Sequence, residues 1–215
     1  MSARNRPRIT KAVSLGLGSL LPSKDQQRRI KQLVIFMAIA SHLNLPLTDK
    51  RPLILYAQEP TFTSTDEAFL QSLGIHILKT PSTLELGEAG RVIDGETLVY
   101  SPFLTVNTYK LLLGPSSQVT IPSLDPWDHI PMLVGDDFNA LRLKWEKRTA
   151  EHRDVEGLLK AIKFGNYRRR AVNSEGFWQD TDRTFPMALY WIQSFSRDSG
   201  SALSPVTGRK KQQTR

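Results

Sequence analysis

The chain has 215 residues, 40% of them hydrophobic and none of them cysteine, so it can bury a sizeable core but forms no disulfide and no thiolate metal site. Its net charge of +8 is uneven: residues 1–31 carry 8 basic and 1 acidic side chains, 32–138 carry 5 and 12, and 139–215 carry 16 and 8. An acidic body with two basic ends argues against a core that grips phosphate backbones and leaves the ends as the segments suited to anionic partners.

Residues 1–10 form a polar leader, and the basic stretch Ala3 to Lys11 is followed by no long apolar run, so no signal peptide is expected. The most apolar run, Leu33 to Ala40, is far shorter than the roughly 18 residues a membrane span needs. The expectation is an intracellular protein, cytoplasmic or nuclear, with no membrane contact. Lys11 to Leu15 (KAVSL) predicts a first strand that ends on Gly16. Ser23 and Gln26 stand at capping-box spacing before a helix over Asp25 to Leu43 whose apolar residues recur at helical period.

Leu53 to Tyr56 is the second strand, and Ser64 and Glu67 mark a second capping-box spacing ahead of a helix stopped by Gly74. Ile75 to Leu78 is strand three. A loop over Pro81 to Gly95 leads to strand four, Thr97 to Tyr100. Val106 to Leu113 reads as a short helix and Gln118 to Ile121 as strand five.

Strands that alternate with helices, and that are continuously apolar, favour a parallel sheet covered on both faces. The predicted fold is α/β: a Rossmann-like, doubly wound, mostly parallel sheet over residues 11–138 with helices on both faces. A basic helical extension is expected over 139–196. It comprises a charged helix from Phe138 to Lys163, a basic segment at Arg168, Arg169 and Arg170, and an amphipathic helix from Phe185 to Phe195. From Arg197 to Arg215 the composition is that of a disordered tail.

Ligands of open parallel sheets bind where the strand order reverses, at the carboxyl ends of the strands. Gly16 and Gly18 stand at such an end, able to turn sharply and to approach a ligand closely, with a helix N-terminus expected to face an anion. The dinucleotide fingerprint is incomplete, because Leu21 stands where a third glycine belongs and no acidic residue follows about 20 residues on. Glu59 holds the place of a ribose-binding carboxylate at the end of strand two. Ser19, Ser101 and Phe103 complete a candidate ligand rim on three strand ends. The competing reading is a tight strand-to-helix connection and nothing more.

His42, His76, His129 and His152 show no ligand spacing, and Asp125, Asp128, Asp136 and Asp137 read as turn and cap residues before they read as a magnesium site. Ser19 and Ser101 lack a GxSxG context. The runs at Arg168 to Arg170 and Arg209 to Lys211 fit a solvated basic end, with nucleic-acid binding or nuclear import as the functional alternatives.

Together, GLGS at Gly16 to Ser19, QL at Gln32 and Leu33, Glu59–Pro60 with Phe62, LG at Leu73 and Gly74, YSP at Tyr100 to Pro102 with Tyr109, and GDDF at Gly135 to Phe138 resemble the SRR-like domain, named for plant Sensitivity to Red-light Reduced. The resemblance spans about Ile9 to Phe138. It implies a Rossmann-like eukaryotic domain of regulatory proteins, linked in plants to light signalling and the circadian clock, with no settled enzymatic activity. Where the family usually has aspartate before proline, this chain has Glu59. Where it tends to have Pro-His-Cys after strand four, this chain has Pro102, Phe103 and Leu104, so an imidazole and a thiol are missing from the rim.

The reading favoured on these grounds is a noncatalytic regulatory or adaptor protein with protein partners, sensing a nucleotide-like ligand at the rim. The alternative is an enzyme using NAD or S-adenosylmethionine. No metal and no definite cofactor is expected.

Overall fold

The computed structural model of the protein describes residues 8–44, 52–80, 86–113, 130–172 and 186–192. Along them lie β1 (Lys11–Leu15), α1 (Gln26–Leu43), β2 (Ile54–Gln58), α2 (Ser64–Ser72), β3 (Ile75–Leu78), α3 (Ala89–Val92) and β4 (Thr97–Ser101). Then follow α4 (Val106–Leu113), β5 (Met132–Asp136), α5 (Phe138–Leu143), α6 (Ala150–Phe164), β6 (Tyr167–Val172) and β7 (Met187–Ile192).

All seven strands join one sheet in the order β3-β2-β1-β4-β5-β7-β6. The first five are mutually parallel, whereas β7 runs antiparallel to both β5 and β6. From β1 the chain winds outward to β2 and β3, then crosses back to place β4 on the other edge of β1. The order therefore reverses beside β1, and the loops leaving β1 and β4 start from one rim.

The sequence of β1 and β4 explains their central place. Every residue of TLVYS is buried, and so is all of KAVSL except its first lysine. Strands this apolar satisfy both faces only between two layers of helix. Val13, Leu15, Val99 and Leu133 face Tyr109, Leu112, Val155 and Leu158 from α4 and α6. Ala12, Leu98, Tyr100 and Val134 face Leu33 and Phe36 of α1 and Leu70 of α2. Each large apolar side chain buried in this way stabilises the fold by about 1.5–3 kcal/mol. The fold is thus α/β, with a mostly parallel sheet and helices packed on both of its faces.

Several expectations need correction. The residues expected to form an amphipathic helix at Phe185 to Phe195 instead supply strand β7, and the basic segment at Arg168 to Arg170 is strand β6. Alternation decides this: Met187, Leu189 and Trp191 share one face and Ala188, Tyr190 and Ile192 the other, the period-2 arrangement of a strand. The charged helix expected over Phe138 to Lys163 is two helices, broken where Arg148 adopts φ 84°. The fifth strand along the described chain is Met132–Asp136, while Gln118 to Ile121 lies outside the described residues, as does the tail from Arg197. The cap of α2 is Thr63 with Asp66, one residue before the spacing at Ser64 and Glu67. Helix α1 begins at Gln26 without a side-chain cap, so Ser23 does not serve as one.

Tyr190 ties the β7 hairpin to the body. Its ring stacks on Phe138 at 5.2 Å, and its hydroxyl accepts from the Phe138 N–H at 2.9 Å and lies 3.2 Å from the Asp136 carbonyl, to which it donates. Tyr190→Phe keeps the packing but orphans a buried N–H. The expected loss is about 1–3 kcal/mol in urea unfolding, and an unchanged midpoint would contradict the role given to this hydroxyl.

Candidate functional site

Both glycines at the end of β1 hold φ +75°, a conformation L side chains rarely adopt, so Gly16 and Gly18 are required by the backbone path itself. A chain turned twice in this way aims its N–H groups at the rim, and each needs an acceptor. The Gly16 N–H donates to the Gln58 carbonyl at 3.2 Å. The Gly18 N–H donates to Glu59 Oε2 at 3.2 Å, and the Leu20 N–H to Asp66 Oδ1 at 2.8 Å. Ser19 donates its hydroxyl to Asp66 Oδ2 at 2.8 Å. Two carboxylates from the neighbouring β2–α2 segment thus stand against the donors that a dinucleotide-binding turn offers to phosphate.

Glu59 is committed further. Its Oε1 accepts from the N–H and the hydroxyl of Thr61, at 3.0 and 2.8 Å. A carboxylate has about four acceptor sites, and three are in use. Asp66 is buried and also accepts from the Thr63 N–H and hydroxyl, both at 2.9 Å. Burial by itself raises the Asp66 pKa, but the bonds from Thr63, Ser19 and Leu20 outweigh it and hold the carboxyl below its ordinary value.

The helix expected to aim its N-terminus at an anion starts at Gln26, well past the turn. Its Arg29 instead donates to the Ser19 carbonyl at 2.8 Å, and a Cβ on Gly18 would come within 2.6 Å of Arg29 Nε. On the other side, Leu104 Cδ2 lies 2.7 Å from where a Cβ on Gly16 would stand. The Arg28 guanidinium sits 5.1 Å from the centre of the Phe103 ring. The loop after β4 and the first turns of α1 therefore close around the glycine turn.

Of the residues predicted for the rim, Gly16, Gly18, Ser19 and Glu59 come together in one bonded group. Phe103 touches its edge through Arg28. Ser101 does not join it: the side chain is fully buried on the opposite side of the sheet, its Oγ has no hydrogen-bond partner, and its carbonyl accepts from the Tyr109 hydroxyl.

Sequence reasoning left two acids out of the rim, Asp66 and Asp136, the second of which it read as a turn or cap residue. Asp66 carries a signal that was available, since it stands three residues after Thr63 in a capping box. Asp136 ends β5 and is almost fully buried, and its Oδ1 accepts from the N–H of Phe103 at 2.8 Å. That bond holds Phe103 at φ 68°, uncommon for a residue with a side chain. Burial pushes the Asp136 carboxyl up to about 7, against bonds from Phe103 and Tyr109 and the distant Lys144 charge that lower it. The neighbouring Asp137 caps α5 through the Asn139 N–H, as the sequence suggested for this pair of acids, and forms a bidentate ion pair with Arg169 of β6. Among the described residues no cluster of three or more metal-ligating side chains occurs and no helix is long and apolar enough to cross a membrane. His129, Asp125 and Asp128 lie outside those residues.

A family model described as the SRR1 domain matches residues 2–198. No curated protein matches the chain.

The two buried acids give opposite pH dependences. Asp136, raised to about 7 from 3.8, keeps its proton in the folded state where the unfolded chain has lost it, so its contribution falls as pH rises from about 4 to 7. Asp66, lowered, contributes stability above its unfolded pKa that is lost on acidification. Asp136→Asn should therefore remove a decline of up to about 4 kcal/mol across that neutral-to-acid window, while Asp66→Asn should flatten only the acid limb. Urea titrations at stepped pH check both, and an identical profile for Asp136→Asn and the unaltered protein would contradict the assignment.

Proposed function

The chain belongs to the SRR1 domain family, and from that premise we propose that it is a noncatalytic regulatory or adaptor protein built on a doubly wound, Rossmann-like domain. The strand order on either side of β1, with helices on both faces, supports that description of the fold. Protein partners are its main ligands in this reading, and the cytoplasm or nucleus is its place. The basic residues of the carboxyl-terminal segment are the part of the chain suited to nucleic acid.

One observation carries the proposal. The donors of the glycine turn are already bound to Glu59 and Asp66. A phosphate brought to them would have to displace one carboxylate and approach the other, a like-charge arrangement that raises the free energy of the complex. The rim is therefore a braced loop that tolerates a nucleoside-like ligand through its hydroxyl end, using the fourth acceptor site of Glu59, and gains nothing from phosphate groups.

A second reading, an enzyme that uses NAD or S-adenosylmethionine, is favoured by a different observation. Asp136, titrating at about 7, stands beside the backbone of Phe103 where the loop leaves β4, and a carboxyl poised near neutrality suits proton transfer. Calorimetric titration of adenosine, ATP, NAD and S-adenosylmethionine into the protein and into Glu59→Gln separates the two. The regulatory reading predicts that adenosine binds as well as ATP and that Glu59→Gln weakens it roughly tenfold or more without unfolding the protein. Binding of ATP or NAD far tighter than adenosine would overturn it in favour of the enzyme. If none binds at millimolar concentration, the ligand-sensing part falls and the adaptor part stands alone.

A further inference from the structure

Three polar side chains are sealed between α1 and the sheet. Ser14, Gln32 and Tyr100 are 1, 3 and 0% exposed, and among the described residues Ser14 Oγ, Gln32 Oε1 and the Tyr100 hydroxyl have no hydrogen-bond partner. Buried polar groups are normally satisfied, and each one left alone costs stability. Two further unpartnered oxygens among the described residues lie elsewhere, Thr80 past the end of β3 and Ser101 on the opposite side of the sheet.

The first three belong to one place. Ser14 and Tyr100 are register partners on neighbouring strands, so their side chains leave the same face of the sheet from backbones about 5 Å apart. That face is the one under α1, because the Tyr100 ring centre lies 5.7 Å from that of Phe36. Gln32 is buried one helical turn before Phe36 and shares its side of α1. Ser14 and Tyr100 are next to last in their strands, and α1, which returns the chain from the rim to the start of β2, holds Gln32 toward the rim. Leu17 of the glycine turn and Phe103 of the loop after β4 pack on the same cluster, between these oxygens and the crevice.

We propose that Ser14, Gln32 and Tyr100 are the floor of a binding site for the edge of a neutral nucleobase, with Phe103 as its cover. The inference rests on the reading of the rim as tolerant of a nucleoside: with the ribose hydroxyls at Glu59, the base is the part left to enter beneath the turn. The donor and acceptor inventory selects the guest. Serine and tyrosine hydroxyls both donate and accept, whereas Gln32 Oε1 only accepts, so a guest that satisfies all three carries an N–H donor beside an acceptor, as a base edge does. Burial raises the Tyr100 hydroxyl above its ordinary pKa and keeps it protonated. None of the three is then charged, and an ion would give up its water here without compensation. Phe103 is suited to move. Its φ of 68°, held by the bond from its N–H to Asp136, is uncommon for a residue with a side chain, so leaving that conformation recovers strain. A flat base takes the place of its ring against Tyr100 and Phe36.

Calorimetric titration of adenosine, and of adenine as the base without ribose, into the full-length protein and into Tyr100→Phe, Ser14→Ala and Glu59→Gln tests this. Tyr100→Phe and Ser14→Ala each delete one oxygen that has no partner to lose, so both should unfold in urea at an unchanged or higher midpoint. Each should weaken adenosine and adenine about tenfold or more. Glu59→Gln should weaken adenosine and leave adenine alone. Adenosine binding that Glu59→Gln weakens but Tyr100→Phe and Ser14→Ala do not overturns the floor while the rim reading stands. Adenine binding that depends on Tyr100 and Ser14, with adenosine indifferent to Glu59→Gln, overturns the rim reading while the floor stands. Binding of neither at millimolar concentration overturns the floor, as does a lowered midpoint in both floor variants with affinity intact, because the hydroxyls then serve folding through trapped water.

Discussion

A backbone that turns at φ +75° twice within three residues leaves its N–H groups pointing away from the strand it has just left, and those groups must be paired. In this protein the Gln58 carbonyl pairs the N–H of Gly16, Glu59 that of Gly18, and Asp66 that of Leu20 just beyond. The consequence reaches well beyond the turn. Glu59 opens the segment after β2, and Asp66 lies in the first turn of α2, so the exit of β1 is bonded to the entry of the next helix across the rim. The link from Gly16 to Asp25 keeps its irregular path because Asp66 also takes the Ser19 hydroxyl and Arg29 takes the Ser19 carbonyl.

Asp66 and Asp136 are both nearly inaccessible and yet lie on opposite sides of their ordinary pKa. Depth and the number of donors together decide the difference, because Asp136 sits far deeper in the protein than Asp66. Asp66 accepts four hydrogen bonds, two of them from backbone N–H groups, enough to overcome the cost of taking its charge out of water. At Asp136 burial wins over the Phe103 N–H and the Tyr109 hydroxyl, so the proton is retained to near neutrality. The first acid braces the rim, and the second holds the strained Phe103 whose ring receives Arg28 from α1. Both loops of the crevice are thereby held by carboxyl groups that the protein itself supplies.

Much of this was legible from composition and order. The first strand, the third strand and the helix at Val106 to Leu113 stand at the residues where apolar runs and glycine or proline stops put them. The alternation of strand and helix indicated a parallel sheet. Beyond Asp136 the reading failed for a physical reason. FPMALYWIQSF is apolar enough to look helical, and its strand character depends on β5 offering an open edge, which no local pattern records. Likewise three consecutive arginines read as a solvated run until Asp137 is found waiting for Arg169 from another strand. At the rim, the glycines, Ser19 and Glu59 were identifiable as neighbours. That Glu59 would bond Gly18, and that Asp66 would join it, depends on how the β2–α2 segment crosses the end of β1, and sequence separation conceals that.

The central claim is that the donors of the glycine turn are closed to anions by Glu59 and Asp66. Amide resonances of Gly18 and Leu20, followed by ¹H–¹⁵N nuclear magnetic resonance during titration with inorganic phosphate and then ATP, test it most directly. The account predicts that both amides keep their shifts to millimolar phosphate or ATP, and that the Leu20 amide moves on lowering the pH only as Asp66 is protonated. A saturable displacement of both amides by either anion at neutral pH would contradict it.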